Sequence, residues 1–135
     1  IINKKIEEFC KLAPTKYKVV KNLGQLRYLS AMKHVDFLIG NTSSGIIEAA
    51  SFSKPVVNIG NRQSGRLKGV NVIDCKINEL SESIRLALSN NFIIKCQNQR
   101  NIYGIGDASN SIVNELIRQQ PSVVKKFIDI EYKNN

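Results

Sequence analysis

The sequence predicts an α/β fold in which a doubly wound parallel sheet carries helices on both faces. Short apolar runs, each bounded by turn residues, alternate along the chain with segments whose apolar residues recur at helical spacing. Such continuous apolar strands are typical of parallel sheets that are buried on both faces. With 135 residues and 42% hydrophobic residues the chain can bury a core, so we expect a single domain over residues 1–135.

Two helices and two strands are predicted in the first third of the chain. Apolar residues recur at helical spacing from Ile2 to Ala13, and Pro14 ends this helix. Residues 17–20 are a short strand candidate, and residues 25–34 form a second helix. Residues 36–39 are a compact apolar run before a turn, which predicts a buried strand.

The middle of the chain continues this alternation. A helix is predicted over residues 44–52, and a strand over residues 54–60 tolerates Pro55 at its start. The polar segment 61–69 contains two glycines and two arginines, and we expect a loop there. A further short strand follows over residues 70–75.

The remaining elements are predicted to be helices and a loop. Apolar residues at helical spacing predict a helix over residues 77–88, and residues 101–110 are typical of a loop. Residues 112–117 predict another helix, which Pro121 ends, and residues 123–128 predict a last short helix before a polar tail.

The distribution of charge and apolar residues excludes several partners. The net charge is +9, but the basic residues are spread from Lys4 to Lys133 and are not interleaved with aromatic residues as a nucleic-acid surface would need. No apolar run approaches the ~20 residues of a membrane span, and charges interrupt the first ten residues too often for a signal peptide. We expect a cytoplasmic protein that binds neither nucleic acid nor membrane.

The cysteines and the histidine predict no metal site. Cys10, Cys75 and Cys96 lie far apart without the spacing of metal ligands, and His34 is the only histidine. Free, buried thiols in a reducing compartment are the expected state of the cysteines. His34 ends the second helix, where its partner would be the helix dipole. No cofactor is expected.

The junction between the second predicted strand and the third predicted helix is rich in hydrogen-bonding groups. Thr42, Ser43 and Ser44 precede Gly45 at the carboxyl end of a strand, where ligands bind in folds of this class. Unpaired backbone N–H groups and the dipole at a helix start attract anions, so the junction predicts a phosphate site without a lysine. The alternative is that a hydroxyl merely caps the helix.

A single carboxylate, that of Glu48, follows this junction. A charge of this sign near a helix start is stabilising by itself, by about 0.5 kcal/mol. Alternatively, Glu48 faces the ligand, where a carboxylate is a good bidentate acceptor for the two hydroxyls of a ribose. Phosphate donors followed by a diol acceptor predict a nucleotide site.

The segment GNTSSGIIEAASFSKPVVNIGNRQSGR resembles the C-terminal lobe of the hydrolysing UDP-N-acetylglucosamine 2-epimerases, in the branch that supplies sialic-acid-type sugars. The similarity extends over nearly all 135 residues, and the SSGxxEA and NIGxRQxGR elements carry most of its specificity. The resemblance implies a Rossmann-like lobe of a two-lobed, glycosyltransferase B-type fold, with the active site between the lobes. The N-terminal lobe would be absent from this chain.

The resemblance also implies which residues bind UDP. The diphosphate would be contacted by Thr42, Ser43, Ser44 and Gly45. The ribose hydroxyls would be bound by Glu48, and the residues from Leu23 and Gly24 to Tyr28 would lie near the uracil. Tyr103 would line the cleft, although an aromatic residue beside glycines packs as often as it binds.

The implied reaction eliminates UDP from UDP-N-acetylglucosamine, or a related UDP-sugar, and hydrates the resulting glycal to N-acetylmannosamine. Arg66 and Arg62, which flank a glycine in a loop that could move, would be the catalytic groups facing the diphosphate or sugar, because the arginine fork matches phosphate geometry. The alternative for each is a solvated loop charge. The proton-transfer groups would belong to the absent lobe, so the chain alone is expected to be inactive.

Two other functions remain open from the sequence. A nucleotide-sugar glycosyltransferase lobe would use the same phosphate site and the same glutamate. A free-standing module that binds a nucleotide sugar would need no second lobe. Self-association into a homo-oligomer is also left open.

Overall fold

The structure is a computed structural model that describes residues 2–119. The chain divides into two compact units, of which the first ends at Ile102 and the second begins at Tyr103. A single domain over all 135 residues stays a prediction.

The first unit is built on a parallel sheet. Its strands are β1 (Leu38–Gly40), β2 (Val56–Ile59) and β3 (Val72–Cys75), and β2 lies in the centre with a parallel partner on each side. The order β1-β2-β3 follows the order along the chain. The reversal of strand order that a doubly wound sheet requires therefore stays a prediction.

Helices make up most of the rest of the described chain. The first unit contains α1 (Ile2–Leu12), α2 (Gly24–His34), α3 (Ser43–Ile47), α4 (Leu80–Ala87) and α5 (Asn90–Gln97). The second unit contains α6 (Ala108–Arg118). Two single turns of 3-10 helix, Ala49–Phe52 and Ile77–Glu79, follow α3 and precede α4 respectively.

The core of the first unit lies on both faces of the sheet. Val56 and Val57 are neighbours in β2, so their side chains point to opposite faces. Val56 is buried with Met32 of α2, whereas Val57 is buried with Ala87 of α4. The prediction of a parallel α/β sheet with helices against both faces is thus confirmed for residues 2–119.

The prediction of a strand at residues 17–20 is wrong. These residues are exposed, and none of them pairs with β1, β2 or β3. The ring of Tyr17 packs against Phe9 of α1, with 4.8 Å between the ring centroids. Two valines favour a strand only where the edge of a neighbouring strand supplies hydrogen bonds, and no neighbour is present in the described part of the chain.

The predicted helix over residues 44–52 forms in two pieces. The five residues of α3 end at Ile47, and after Glu48 the hydrogen-bonding pattern tightens into the 3-10 turn. Ser53 then adopts a left-handed backbone with φ of +54°, which ends the turn. Because α3 ends at Ile47, Glu48 follows this helix and precedes the 3-10 turn.

Other boundaries also differ from the predictions. The strand predicted at residues 36–39 begins two residues later, and its Ile39 is 49% exposed. The predicted loop 101–110 loses its last three residues to α6. Pro121 and the helix predicted over residues 123–128 lie outside the described residues.

A whole helix, α5, was not predicted. Its signal in the sequence is modest: Ser89 caps the helix by accepting a hydrogen bond from the N–H of Phe92 at 3.3 Å. Phe92 and Cys96, four residues apart, are the buried residues of the helix. Two buried residues in eight give a weak helical pattern, and the asparagines that begin the helix favour a loop.

Candidate functional site

The site begins where β1 ends. Gly40, the last residue of β1, has φ of +146°, a conformation that favours glycine, and Asn41 and Thr42 complete the turn into α3. Thr42 has an extended backbone, and its Oγ1 accepts a hydrogen bond from the N–H of Gly45 at 3.3 Å. The capping role that the sequence left open therefore belongs to Thr42.

Gly45 brings α3 close to the sheet. The residue is buried, and a Cβ atom added there would lie 3.0 Å from Cγ1 of Val56 in β2. Only glycine fits at this distance without a shift of the valine. The first turn of α3 is therefore packed directly on the central strand.

The other two hydroxyls of the junction differ in environment. Ser43 is exposed to solvent, whereas Ser44 is half-buried. The Oγ of Ser44 is itself buried and has no hydrogen-bond partner among residues 2–119. A buried hydroxyl without a partner is uncommon in folded proteins, and contact of this hydroxyl with a ligand stays a prediction.

Glu48 lies at the far end of α3. Its backbone N–H donates to the carbonyl oxygen of Ser44 at 2.9 Å, and its side chain is exposed and makes no capping hydrogen bond to the 3-10 turn that follows. Asn101 donates to the carbonyl oxygen of Ile47 at 2.8 Å and so helps to fix this end of the helix. A role for Glu48 at the start of α3 is excluded, since the charge follows the helix.

One cavity connects two parts of the predicted nucleotide site. It has a volume of about 320 Å³, and its walls include Leu23 and Tyr28 on one side and Gly40, Thr42 and Gly45 on the other. A second cavity of about 470 Å³ contains Gly24 and shares Leu23 and Tyr28 with the first. The residues predicted near the base and some of those predicted near the phosphates therefore line the same space. Ser43, Ser44, Glu48 and the two arginines do not line it.

The polar loop 61–69 is fastened to the turn after β1. Nη1 of Arg62 donates to the carbonyl oxygen of Asn41 at 2.8 Å, and Nε2 of Gln63 donates to the same oxygen at 2.7 Å. Arg62 thus lies at the edge of the turn, and its predicted contact with the diphosphate or sugar stays a prediction. Gln63, which is 3% exposed, was not singled out from the sequence, although its place in the RQ pair beside Arg62 is a signal.

Arg66 lies farther along the same loop and is exposed. Its backbone N–H donates to the carbonyl oxygen of Gln63 at 3.4 Å. Within residues 2–119 its guanidinium group has no hydrogen bond or ion pair with another side chain. The group is therefore free to contact an anion, and its catalytic role stays a prediction.

A second polar cluster closes the other end of the loop. Nζ of Lys68 lies 2.7 Å and 3.0 Å from the two carboxylate oxygens of Asp74, and Nδ2 of Asn58 donates to Asp74 at 2.6 Å. Burial raises the pKa of Asp74, but the hydrogen bonds from Lys68 and Asn58 and the charge of Lys68 together lower it below its usual value. The cluster lines a cavity of about 500 Å³ beyond the carboxyl ends of β2 and β3.

The remaining predicted residues lie elsewhere. Tyr103 is exposed and belongs to the second unit, so its place in the cleft stays a prediction. His34 is the last residue of α2, as the sequence predicts. Cys75 and Cys96 are buried free thiols, whereas Cys10 is half-buried.

No group of three or more potential metal ligands occurs within residues 2–119. No helix in the same range is both long enough and apolar enough to cross a membrane.

The parallel sheet, with a cavity at the turn from a strand into a helix, defines an α/β protein of the type that binds ligands at the carboxyl ends of its strands. Residues 1–117 match the family described as UDP-N-acetylglucosamine 2-epimerase, and the chain belongs to this family.

Individual relatives agree with the family assignment. The chain is 42% identical over 92 residues to a GDP/UDP-N,N'-diacetylbacillosamine 2-epimerase (hydrolyzing) of Campylobacter jejuni. This match covers 68% of this chain and 24% of that protein. It is 33% identical over 135 residues to polysialic acid biosynthesis protein P7 of Escherichia coli, covering 96% of this chain and 34% of that protein. It is also 28% identical over 133 residues to a UDP-N-acetylglucosamine 2-epimerase of Neisseria meningitidis serogroup B. This match covers 93% of this chain and 34% of that protein.

The chain therefore spans about a quarter to a third of the length of these relatives. It has the enzyme family's sequence over almost its whole length, but the relatives contain much more polypeptide.

Proposed function

We propose that this chain is the UDP-binding, C-terminal lobe of a hydrolysing UDP-N-acetylglucosamine 2-epimerase. The lobe would be Rossmann-like, with its sheet completed to a doubly wound one, and would face an N-terminal lobe across the active site of a glycosyltransferase B-type fold. Family membership and the partial coverage of the relatives support this proposal. A role in the synthesis of sialic-acid-type sugars is part of the same proposal, and the name of the Escherichia coli relative supports this role. A cytoplasmic location is proposed with it.

The observation that carries the proposal is the shared cavity of about 320 Å³. A nucleoside diphosphate needs a largely apolar wall for its base, close to backbone N–H groups for its phosphates. Leu23 and Tyr28 supply the first kind of surface, and the turn through Gly40 and Thr42 into α3 would supply the second. Both kinds meet in one space, at the carboxyl end of β1.

The proposed contacts follow from this arrangement. The uracil would lie against Tyr28 and the backbone of Gly24, and the diphosphate would lie over the turn that leads into α3. Ser43 and the unpartnered hydroxyl of Ser44 would donate to phosphate oxygens, as would Thr42 with its remaining O–H. Glu48, exposed one turn beyond Ser44, would accept from the ribose hydroxyls.

In the proposed reaction, a base removes the proton from the sugar carbon that bears the acetamido group. The bond from the anomeric carbon to the diphosphate oxygen breaks, its electron pair leaves with UDP, and a double bond forms between the two carbons. Water then adds across this double bond to give N-acetylmannosamine. The contribution of this lobe would be to stabilise the negative charge on departing UDP, through Arg66, Arg62 and the N–H groups at the start of α3.

The identity of the sugar has a specific alternative. The Campylobacter jejuni relative, 42% identical, is named for N,N'-diacetylbacillosamine and for a GDP or UDP carrier. A UDP-linked diacetylated amino sugar is therefore the second candidate substrate. The same elimination applies to it, because it also carries an acetamido group beside the anomeric carbon.

The experiment is a product assay with a complete two-lobed protein that contains this sequence, without any acceptor. We expect release of UDP together with N-acetylmannosamine or the corresponding diacetylated sugar, whereas the 135-residue chain alone should give neither. A transferase would release no epimerised sugar under these conditions. Steady turnover by the isolated chain, lost in Arg66→Ala, would contradict the assignment of the acid and base to another lobe.

A further inference from the structure

Gln63 is the most deeply buried polar side chain of the loop 61–69. It is 3% exposed, and its Nε2 donates to the carbonyl oxygen of Asn41 at 2.7 Å. The two residues are 22 positions apart in the chain. The bond therefore joins the loop after β2 to the turn after β1.

We propose that Gln63 is a positioning residue for the nucleotide site: it holds the turn over residues 40–42 and the arginine-bearing loop in one fixed arrangement. This inference rests on the proposed function. Gln63 would not contact UDP itself, because the oxygen of its side chain is buried. It would act through Arg62, Arg66 and the turn.

The carbonyl oxygen of Asn41 is the atom at which the loop meets the turn. A carbonyl oxygen has two lone pairs, and here Arg62 and Gln63 donate one hydrogen bond each. Asn41 follows Gly40, whose φ of +146° favours glycine. Because glycine has no Cβ atom, the backbone of this turn can adopt more conformations than it could with another residue. Two hydrogen bonds from a second loop to the carbonyl oxygen of Asn41 restrict the conformations that the turn can adopt.

The side-chain amide of Gln63 has one defined orientation. Only the NH₂ end of Gln63 can donate to a carbonyl oxygen, so the bond to Asn41 sets which way the amide points. The Oε1 atom is then left buried without a hydrogen-bond partner in the described part of the chain. Burial of such an oxygen is unfavourable, so packing alone would favour an apolar side chain of the same length.

Stability and binding should therefore respond differently when Gln63 is replaced. In Gln63→Met the volume is kept, the unpartnered oxygen is removed, and Asn41 retains its bond from Arg62. Thermal stability should stay the same or rise. The affinity for UDP should fall about tenfold, since one hydrogen bond that orders the site is lost.

The test is a titration of the full 135-residue chain with UDP, combined with a thermal melt. Gln97→Met, on the exposed surface of α5, is the matched control and should change neither quantity. Gln63→Met should also be non-additive with Arg66→Ala, because the second change removes a group that Gln63 positions. If Gln63→Met does not fold, Gln63→Asn, which is too short to reach Asn41, takes its place.

The outcomes separate this inference from the proposed function. If the unmodified chain does not bind UDP, the proposed function fails and this inference fails with it. If the unmodified chain binds UDP and Gln63→Met binds it equally well, only the positioning role is refuted. Additive losses in Gln63→Met and Arg66→Ala would also refute it, since independent contacts add.

Discussion

A favourable interaction with the start of α3 does not explain why a carboxylate stands at Glu48. In the first turn of a helix its charge would stabilise the helix, but it follows the last residue of α3. There a negative charge faces the negative end of the dipole, which is unfavourable. The side chain is exposed and makes no capping bond to the 3-10 turn that it precedes, so its contact with a ligand stays a prediction.

The corresponding prediction concerns Glu48→Gln. The change should weaken the binding of UDP much more than the binding of pyrophosphate, because only UDP has a ribose. Loss of a charged hydrogen-bond acceptor reduces the binding free energy by about 1.5–3 kcal/mol. Calorimetric titration with both ligands measures this, and Glu82→Gln on the exposed surface of α4 is the control. Equal weakening of UDP and pyrophosphate binding would mean that Glu48 acts only through its charge and does not contact the ribose.

At this scale the sequence predicted a turn rich in hydroxyls at the start of α3, and the structure has Thr42, Ser43 and Gly45 there, whereas their binding roles stay predictions. It missed Gln63, because nothing in a glutamine indicates burial until the loop that carries it is seen against Asn41. The contact joins residues 22 positions apart, and such contacts leave no local pattern.

Among the elements, the sheet was more predictable than the helices around it. All three strands were predicted, since apolar runs bounded by turn residues are a strong local signal. The wrong strand at residues 17–20 has the same local signal but no neighbour. The missed α5 has few buried residues, and its helical state depends on the cap at Ser89.

The connection between β2 and β3 depends on Gly69. A Cβ atom there would lie 2.6 Å from Oδ1 of Asn71, which is fully buried and donates from Nδ2 to the carbonyl oxygen of Lys54 at 2.9 Å. The carbonyl oxygen of Asn71 also accepts from the N–H of Val56 at 2.8 Å. Asn71 therefore helps to set the register of β3 on β2.

We predict that Gly69→Ala destabilises the fold by about 1–3 kcal/mol, because the buried Asn71 has little room to move. Denaturant unfolding of the chain measures the change, and Ser81→Ala on the exposed surface of α4 is the control. An unchanged unfolding midpoint for Gly69→Ala would mean that Asn71 rearranges freely and does not set the register.

At the scale of the whole molecule, several large apolar side chains among residues 2–119 are exposed. The helix α1 forms as predicted, yet none of its residues is buried, and Phe9 and Leu12 are 53% and 78% exposed. The sequence predicts the amphipathic pattern of α1. Local spacing cannot identify which surface its apolar face packs against. Uncovered apolar area of this kind is typical of an interaction surface. It agrees with a chain that spans about a quarter to a third of its relatives' length.

The central claim is that this chain carries the UDP site of its family, and calorimetric titration of the isolated chain with UDP and with ADP tests it most directly. The two ligands share a ribose and a diphosphate and differ in the base, so the comparison examines the wall formed by Leu23 and Tyr28 as well as the turn into α3. We predict saturable binding of UDP and clearly weaker binding of ADP. Equal affinity for the two nucleotides, or no binding of UDP up to high millimolar concentration, would contradict the account.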